Sequence, residues 1–322
     1  MERNKSIDSI AGLLILQMII YHLFQHAALT THRINWVTYP LYFFMPWFFY
    51  KAGFYYKPMA VKESIKSGWK KLLCPFVVFS LMGQFVYSIY VYLNGNNEFV
   101  HFVDYVIIPV REILLEGSCF GNSALWFLVS LFVVKVVYNK LSRMRIKDAY
   151  IIVFFAGMAF LMNMYSISKP LYMANICSGM AFYSIGHFIK DYQYNNRLVW
   201  MSLFGYILAI LYGWNYIDMR TNIAQRGNYL LWIPTALAGI ILVNTIVKRI
   251  GENAFLSYIG KNAISFYVMH WIILITAKIF SDLLMISDKY YVLLLMVLFE
   301  ILILPISVVV LSSTKLKWMI GK

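Results

Sequence analysis

Residues 6 to 22 read SIDSIAGLLILQMIIYH, an apolar stretch with polar residues at both ends. Ser6 and Asp8 can cap the start of a helix, because their side-chain oxygens accept hydrogen bonds from the free amides of a first turn. His22 follows Asp8 by 14 residues, which is about 21 Å along a helix axis. An ionisable side chain so deep in a hydrocarbon core about 30 Å thick is costly unless it faces protein or water. We therefore expect a membrane-spanning helix and treat His22 as a candidate functional residue.

The composition indicates a polytopic helical membrane protein. Of the 322 residues, 61% are hydrophobic and only 13% are charged. A soluble domain of this length could not bury so much apolar surface, so we expect an all-α bundle of membrane helices. The first apolar stretch lacks a small-residue cleavage site and is longer than the core of a signal peptide. We therefore expect it to remain as a membrane span.

The net charge of +14 could indicate a nucleic-acid partner, but its distribution argues against one. The basic residues cluster in short loops on alternate sides of the apolar runs, as in membrane proteins that follow the positive-inside rule. The three cysteines, Cys74, Cys119 and Cys177, have no metal or redox spacing. We expect them to be unpaired packing residues.

Ten apolar runs follow one another along the chain, and we expect about ten transmembrane helices. No flexible linker or internal repeat separates them, so we expect one integral membrane domain over residues 1–322. The runs are 7–29, 36–56, 72–93, 123–141, 148–165, 172–189, 198–217, 229–247, 263–284 and 290–313.

Basic residues concentrate after the even-numbered runs. Cytoplasmic loops carry an excess of Lys and Arg, so this asymmetry, together with Arg3 and Lys5, predicts that both termini are cytoplasmic. The loop residues are Lys57, Lys62, Lys66, Lys70, Lys71, Lys140, Arg143, Arg145, Lys147, Lys190, Arg197, Lys248, Arg249, Lys261, Lys315, Lys317 and Lys322.

The longest external connection, residues 94–122, contains apolar residues at helical spacing. This pattern predicts an amphipathic helix that lies along the outer membrane interface or forms a lid over a site. The apolar residues are Val106, Ile107, Val110, Ile113 and Leu114.

Six motifs, in the same order along the chain, resemble the signatures of the membrane-bound acyltransferase family 3. Each motif alone is weak in an aromatic-rich membrane protein, but six in order form a fairly specific pattern. They are DSIAGLLILQMIIYH (8–22), FFMPWFFYKAGFYYK (43–57), KKLLCP (70–75), SALWFLVSLF (123–132), GMAFYSIGHFI (179–189) and IGKNAISFYVMH (259–270).

The resemblance implies an enzyme of the bacterial cell membrane that moves an acyl group, usually acetyl, from cytoplasmic acyl-CoA to a hydroxyl of a surface or lipid-linked glycan. The partners would be acetyl-CoA, the glycan and the lipid bilayer. Acyl transfer to a hydroxyl needs a general base, and a histidine titrates near neutral pH. The resemblance assigns this role to His22. The alternative is a core histidine that donates to a backbone carbonyl.

The chain departs from the family pattern at two basic positions. The family commonly has a basic residue where this chain has Ala11, and an Arg-x-x-Arg pair where it has Gly68 and Lys71. Lys70 and Lys71 would then attract the CoA phosphates without the fork geometry of arginine. Lys51, in a position that is ordinarily apolar, could compensate by reaching the donor from within the bundle, or its ammonium could extend to the interface.

Other polar side chains in the apolar runs are candidates for lining the site. Glu300 falls near the midplane of the last run, where a lone carboxylate is costly or protonated. It could pair with Lys51 or His270, orient the catalytic histidine, or make an interhelical hydrogen bond. His270 is expected to line the site, as is Asp8 of the first motif. Trp126 is either a wall of the acyl channel or a packing residue.

His26 lies one helical turn beyond His22, a spacing compatible with a metal pair. The sequence places no third ligand beside the two histidines, and no metal is predicted. Two alternatives to an active acyltransferase stay open at this point. One is a glycan or small-molecule exporter that uses its buried charges as a pathway. The other is an acyltransferase-like protein that has lost activity through the changes at Ala11 and Gly68.

Overall fold

Helices make up most of the part of the chain described by the computed structural model, which covers residues 5–29, 41–93, 102–167, 173–191, 195–212, 216–313 and 315–322. A π-helical segment, Trp69–Leu73, joins α3 to α4, and 3-10 turns lie at Phe120–Leu125 and Lys317–Ile320. The helices are α1 (Lys5–His26), α2 (Phe44–Phe54), α3 (Val61–Gly68), α4 (Cys74–Leu93), α5 (Phe102–Glu116), α6 (Trp126–Arg143), α7 (Asp148–Met164), α8 (Met173–Phe188), α9 (Asn196–Leu211), α10 (Tyr229–Ile250), α11 (Ala254–Lys261), α12 (Ala263–Leu283) and α13 (Lys289–Leu311).

The predicted helical architecture is confirmed, because each of the ten apolar runs contains a helix. Within the described residues, six helical stretches are long and apolar enough to cross a membrane. The number of spans and the side of the termini stay predictions. The six stretches are Lys5–His26, Val61–Leu93, Ile107–Arg143, Tyr229–Ile250, Ala263–Leu283 and Lys289–Leu311.

The run 198–217 is not helical to its end. Helix α9 stops at Leu211, and residues 216 and 217 instead belong to strand β1 (Tyr216–Asp218), which pairs antiparallel with β2 (Ile223–Arg226). The Asp218 carboxylate closes the turn by accepting from the Arg220 amide at 3.0 Å and from Thr221 Oγ1 at 3.1 Å. Asp side chains favour such turns, because they bond the backbone two residues further on. The apolar content of the run concealed this hairpin.

Asn222 anchors the hairpin to the helices beside it. Its φ is +58°, a left-handed conformation that Asn tolerates better than most residues. The buried side chain accepts from Ser178 Oγ at 2.6 Å and donates to the Ala159 carbonyl at 2.8 Å. Asn163 Nδ2 donates to the Asn222 carbonyl at 2.7 Å. The turn is therefore tied to both α7 and α8.

Residue contacts divide the chain into two compact units, and each receives parts of α1 and α6. The predicted single membrane domain stays a prediction. Unit 1 comprises Met1–Gln17, Trp36–Ile65 and Val133–Lys261, and unit 2 comprises Met18–Asn35, Lys66–Phe132 and Asn262–Lys322.

Glycines bring helix backbones into direct contact in unit 1. A Cβ on Gly53 of α2 would lie 1.8 Å from the Tyr183 carbonyl oxygen of α8, and one on Gly186 of α8 would lie 2.1 Å from the Tyr50 carbonyl oxygen of α2. Small residues at membrane-helix interfaces permit such close approach. Two of the six motifs, 43–57 and 179–189, thus pack on each other through their glycines.

The first and last motifs meet in the same way. A Cβ on Gly12 of α1 would lie 2.0 Å from the Leu256 carbonyl oxygen of α11, and one on Gly260 would lie 1.8 Å from the Asp8 carbonyl oxygen. Ser9 Oγ also lies within hydrogen-bond distance of the Asn253 amide, at 3.1 Å. The start of α1 is therefore fixed against α11 by its backbone.

Unit 2 has its own glycine contact, between α4 and the 3-10 turn that precedes α6. A Cβ on Gly83 would lie 2.4 Å from the Gly121 carbonyl oxygen. Next to it, Asn122 Nδ2 donates to the Val268 carbonyl of α12 at 2.9 Å. Cys119 Sγ lies 3.5 Å from the Ser80 carbonyl oxygen. All three cysteines are unpaired, as predicted.

Large apolar side chains cover the outward faces of several helices. On α13, Ile301 and Ile306 are both 63% exposed, whereas Glu300 is 5% exposed. Helix α5 confirms the predicted amphipathic helix, and its apolar side chains Ile107 and Leu114 are exposed as well. Exposed apolar faces of this extent suit contact with lipid. For α5 they favour the interfacial position over the lid.

Replacement of Gly53 by alanine should destabilise the protein by about 3 kcal/mol, the upper end of ordinary overpacking, because the new methyl group meets backbone. Gly157→Ala is the matched control, since no heavy atom of the described residues, apart from the nearby backbone of its own helix, lies within 4 Å of its Cβ position. It should change stability by no more than about 1 kcal/mol, and in the stabilising direction. Thermal unfolding of the purified variants in detergent measures both. Equal midpoints for the two variants would contradict the backbone contact.

Candidate functional site

A cavity of about 680 Å³ opens in unit 1 between α1, α2, α10 and the segment that joins α8 to α9. We call it the cationic cavity, because four basic side chains and one acidic side chain line it. Its volume lies within the usual range of small-molecule sites. The charged residues are Lys51, Lys190, Asp191, Lys248 and Arg249.

Lys51 lies at this cavity beside an aromatic wall. Its Nζ is 5.2 Å from the centre of the Trp47 ring, a cation–π distance. Trp47 Nε1 in turn donates to Asn244 Oδ1 of α10 at 3.1 Å, which fixes the indole. Tyr55 also lines the cavity. Lys51 is thus placed where a bound anion would meet it.

Asp8 and Ala11 have packing roles in this structure. Asp8 is 6% exposed, and its carbonyl lies against Gly260, while Ala11 is fully buried. Neither residue lines the cationic cavity, although Ser6, Ile7 and Ile10 of the same helix do. The position where the family commonly has a basic residue is enclosed here. A long basic side chain at Ala11 would need the surrounding helices to move.

The neighbouring Phe132 ring explains why position 68 has no side chain. A Cβ on Gly68 would lie 2.6 Å from Cδ2 of the Phe132 ring, so the ring fills the space that a larger side chain needs. Lys70 and Lys71 follow on the π-helical segment and are exposed. Neither of them lines the cationic cavity. The Lys71 backbone contacts Gly321, whose Cβ would lie 2.6 Å from the Lys71 Cα.

Three histidines and a tryptophan form an aromatic group in unit 2, which we call the histidine cluster (His22, His26, His270 and Trp271). The rings of His22 and His270 stack with centroids 5.3 Å apart. Trp271 packs edge-on against His22 at 4.9 Å and against His26 at 4.6 Å. The predicted site residues His22 and His270 are therefore brought together.

Hydrogen bonds define the tautomers in this cluster. His270 Nδ1 lies 2.7 Å from the Tyr267 carbonyl oxygen, which can only accept, so Nδ1 carries the proton and Nε2 the lone pair. His270 is fully buried, and its Nε2 has no hydrogen-bond partner among the described residues. His22 Nδ1 donates to Gln25 Oε1 at 3.2 Å, which leaves the His22 Nε2 lone pair as the basic site. Gln25, one turn beyond His22, was not among the site residues predicted from the sequence.

Glu300 and Trp126 do not join these groups through hydrogen bonds. Both Glu300 carboxylate oxygens are buried and lack a hydrogen-bond partner within the described ranges. Among the described residues of unit 2, neither the pairing considered with His270 nor an interhelical hydrogen bond of Glu300 is formed, and the pairing with Lys51 stays a prediction. Trp126 is buried and packs edge-on against Phe127, with ring centroids 6.2 Å apart.

A second polar network was missed by the sequence analysis. The Asp148 carboxylate, at the start of α7, accepts from Tyr138 Oη at 2.5 Å and from His187 Nδ1 at 2.7 Å. Lys190, which lines the cationic cavity, lies 3.2 Å from His187 Nε2. The sequence signal was a histidine inside an aromatic-rich helical motif, followed three residues later by a lysine. These residues were interpreted only as topology markers and motif positions.

No cluster of three or more His, Cys, Asp or Glu side chains with the arrangement of a metal site occurs in the part of the chain that the structure describes. His22 and His26 share a helix face, and both of their rings pack against the Trp271 ring. The chemistry available from these side chains is proton transfer at a histidine and anion binding at the cationic cavity.

Comparison with known proteins identifies the family. A family model described as an acyltransferase domain, the acyltransferase family 3 model, matches residues 4–313. No curated protein and no solved structure matches the chain. The apolar helices and the family together indicate an integral membrane acyltransferase. The match covers nearly the whole chain and confirms the resemblance found in its six motifs, so the chain belongs to the acyltransferase family 3.

Proposed function

We propose that the chain transfers an acyl group, acetyl in the first instance, from cytoplasmic acyl-CoA to a hydroxyl of a cell-surface or lipid-linked glycan. The observation that carries the proposal is the convergence of four basic side chains on one cavity in a membrane acyltransferase. We place the protein in the cytoplasmic membrane of a bacterium. The exporter alternative is not favoured by the family.

The cationic cavity suits the donor because CoA carries three phosphate groups and an adenine ring. Lys190 follows α8, and Lys248 and Arg249 lie in the last turn of α10, at helix ends that the charge pattern predicts to be cytoplasmic. Arginine can grip a phosphate bidentately, and each lysine adds a point charge. Phe54 and Tyr55, which also line the cavity and are less buried than Trp47 and Tyr50, provide aromatic surface for stacking. Lys51 would supply the cation that positions 11 and 68 lack.

His22 is proposed as the general base at the acceptor. Its Nε2 would take the proton from the glycan hydroxyl as the oxygen attacks the thioester carbonyl. The tetrahedral intermediate then collapses, the carbon–sulfur bond breaks, and the imidazolium returns the proton to the leaving thiolate. The Gln25 hydrogen bond on Nδ1 holds the tautomer that this step needs. The products are the acyl ester and free CoA.

Replacement of Lys51 by methionine should weaken acyl-CoA binding about tenfold, because one charge-assisted contact to a phosphate is lost. Binding of acetyl-CoA to the purified protein and the KM for acetyl-CoA both measure this. Lys57→Met is the matched control, since Lys57 is exposed and does not line the cavity. If Lys51→Met leaves transfer and affinity unchanged, the compensation by Lys51 is wrong.

Replacement of His22 by glutamine should lower kcat for acyl transfer by about 10²- to 10⁴-fold, the usual contribution of a general base. Glutamine keeps much of the side-chain volume and cannot take up a proton near neutral pH. The affinity for CoA should stay within about twofold of the wild type, because the proton transfer plays no part in donor binding. Normal turnover in His22→Gln would exclude His22 as the base.

The overall activity is tested in membranes that contain the chain. We expect release of free CoA from labelled acetyl-CoA, and mass spectrometry should show acetyl esters on surface glycans of cells with the wild-type chain. Cells with His22→Ala should lack those esters. An exporter would leave acetyl-CoA intact, and equal acylation in both kinds of cell would overturn the mechanism.

A further inference from the structure

Four side chains form a continuous hydrogen-bonded chain that ends at the cationic cavity. Tyr138 Oη and His187 Nδ1 bond the two oxygens of Asp148, at 2.5 and 2.7 Å. On the opposite edge of the imidazole, His187 Nε2 lies 3.2 Å from the Lys190 ammonium. All four residues belong to unit 1. The chain therefore connects a half-buried carboxylate to a cation of the cavity.

The direction of each hydrogen bond follows from the donors available. A lysine ammonium can only donate, so His187 Nε2 is the acceptor and Nδ1 carries the ring proton. That proton lies between Asp148 Oδ2, at 2.7 Å from Nδ1, and Tyr138 Oη, at 2.6 Å, and both oxygens can accept it. Tyr138 donates its own proton to the second carboxylate oxygen. Asp148 and Tyr138 thus select the neutral tautomer of His187 that can hold Lys190.

The histidine ring is held by its neighbours from three other helical elements. Tyr56, just beyond α2, packs edge-on against the His187 ring with centroids 5.2 Å apart. Tyr56 Oη donates to Asn139 Oδ1 of α6 at 2.9 Å. The groups that face the imidazole are thus the Asp148 carboxylate, the Tyr138 and Tyr56 rings and the Lys190 ammonium. The orientation of the His187 imidazole is therefore fixed by its neighbours.

Lys190 itself is an exposed side chain on a flexible four-carbon stem. A free lysine loses much rotamer freedom when it binds a phosphate, and fixing it beforehand lowers that cost. The hydrogen bond to His187 does this without neutralising the ammonium, because an imidazole nitrogen that accepts a hydrogen bond adds no negative charge. The other two N–H donors of Lys190 stay available to a ligand.

We propose that His187 is a positioning residue which, oriented by Asp148 and Tyr138, holds Lys190 in place to bind a phosphate of the acyl donor. This inference rests on the proposed assignment of the cationic cavity to acyl-CoA. It gives the Asp148–His187 pair a part in donor affinity and none in the proton transfer at His22.

The test is a double-mutant cycle on donor binding, with coenzyme A as the probe and the full-length purified protein. Lys190→Met and His187→Phe should each raise the Kd for CoA about fivefold, as expected for one charge-assisted contact. The double variant should bind no more weakly than Lys190→Met alone, because the histidine acts only through the lysine. The KM for acetyl-CoA should follow the Kd, and kcat should stay unchanged.

Two further variants separate positioning from folding. His187→Gln should stay within about twofold of the wild type, because its amide oxygen can still accept from Lys190. Asp148→Ala should weaken CoA binding in the wild-type background, because without the carboxylate Tyr138 Oη can donate to His187 Nδ1 and favour the tautomer that cannot accept from Lys190. It should have no effect in the Lys190→Met background. Thermal unfolding midpoints identify any variant that has lost its fold, and Asp148→Ala replaces His187→Phe in the cycle if that variant does not fold.

The outcomes distinguish this inference from the donor site itself. If Lys190→Met weakens binding while His187→Phe does not, or if the two effects add, the positioning role is wrong and the donor site stands. If Lys51→Met weakens binding while Lys190→Met does not, Lys190 is not a phosphate ligand, which also overturns the inference. If neither lysine variant changes the Kd for CoA, the donor assignment of the cavity fails as well.

Discussion

Backbone contact between helices at glycines is the constraint on which the rest of unit 1 depends. The Gly53 and Gly186 contacts join α2 to α8, and the Gly12 and Gly260 contacts join α1 to α11. In a membrane the burial of apolar surface favours no particular helix pair, so close van der Waals approach has to select the partners. Once α2 lies directly on α8, Lys51 on one helix and the end of the other line the same cavity. The glycines of the motifs thus position the charges without contacting a ligand themselves.

The sequence was sufficient for the helices because a membrane helix needs a long apolar run, and such runs are visible without any partner. The sequence was insufficient where an apolar segment can form either a helix or a strand. Residues 216 and 217 continue an apolar run, yet they form a strand, because the turn chemistry of Asp218 and Asn222 decides the conformation locally. The π-helical segment Trp69–Leu73 was missed for a related reason, since nothing in its composition distinguishes it from an α-helix.

Candidate site residues could be recognised where a polar residue interrupts an apolar run, as His22 and Lys51 do. Candidate residues could not be recognised where polar residues lie near helix ends, because polar residues at such positions are common and need no explanation beyond solubility and membrane topology. His187 and Asp148 are of this second kind, and only the fold shows that they hydrogen-bond each other. The sequence likewise did not show why positions 11 and 68 lack basic side chains. One position is enclosed by helices and the other is filled by the Phe132 ring, so their neighbours in space explain them.

The π-helical segment between α3 and α4 also has a consequence for how the chain tolerates length changes. A π-turn accommodates one residue more than an α-turn, and each residue of an α-helix rotates the following face by about 100°. Deletion of one residue within Trp69–Leu73 would let the segment become α-helical and would leave the face of α4 nearly unchanged, because the wide turn has already absorbed the extra residue. Deletion of one residue between this segment and Gly83 would instead turn Gly83 by about 100° away from Gly121. The π-helical segment is therefore the part of this helical stretch where the loss of one residue disturbs the rotational register least.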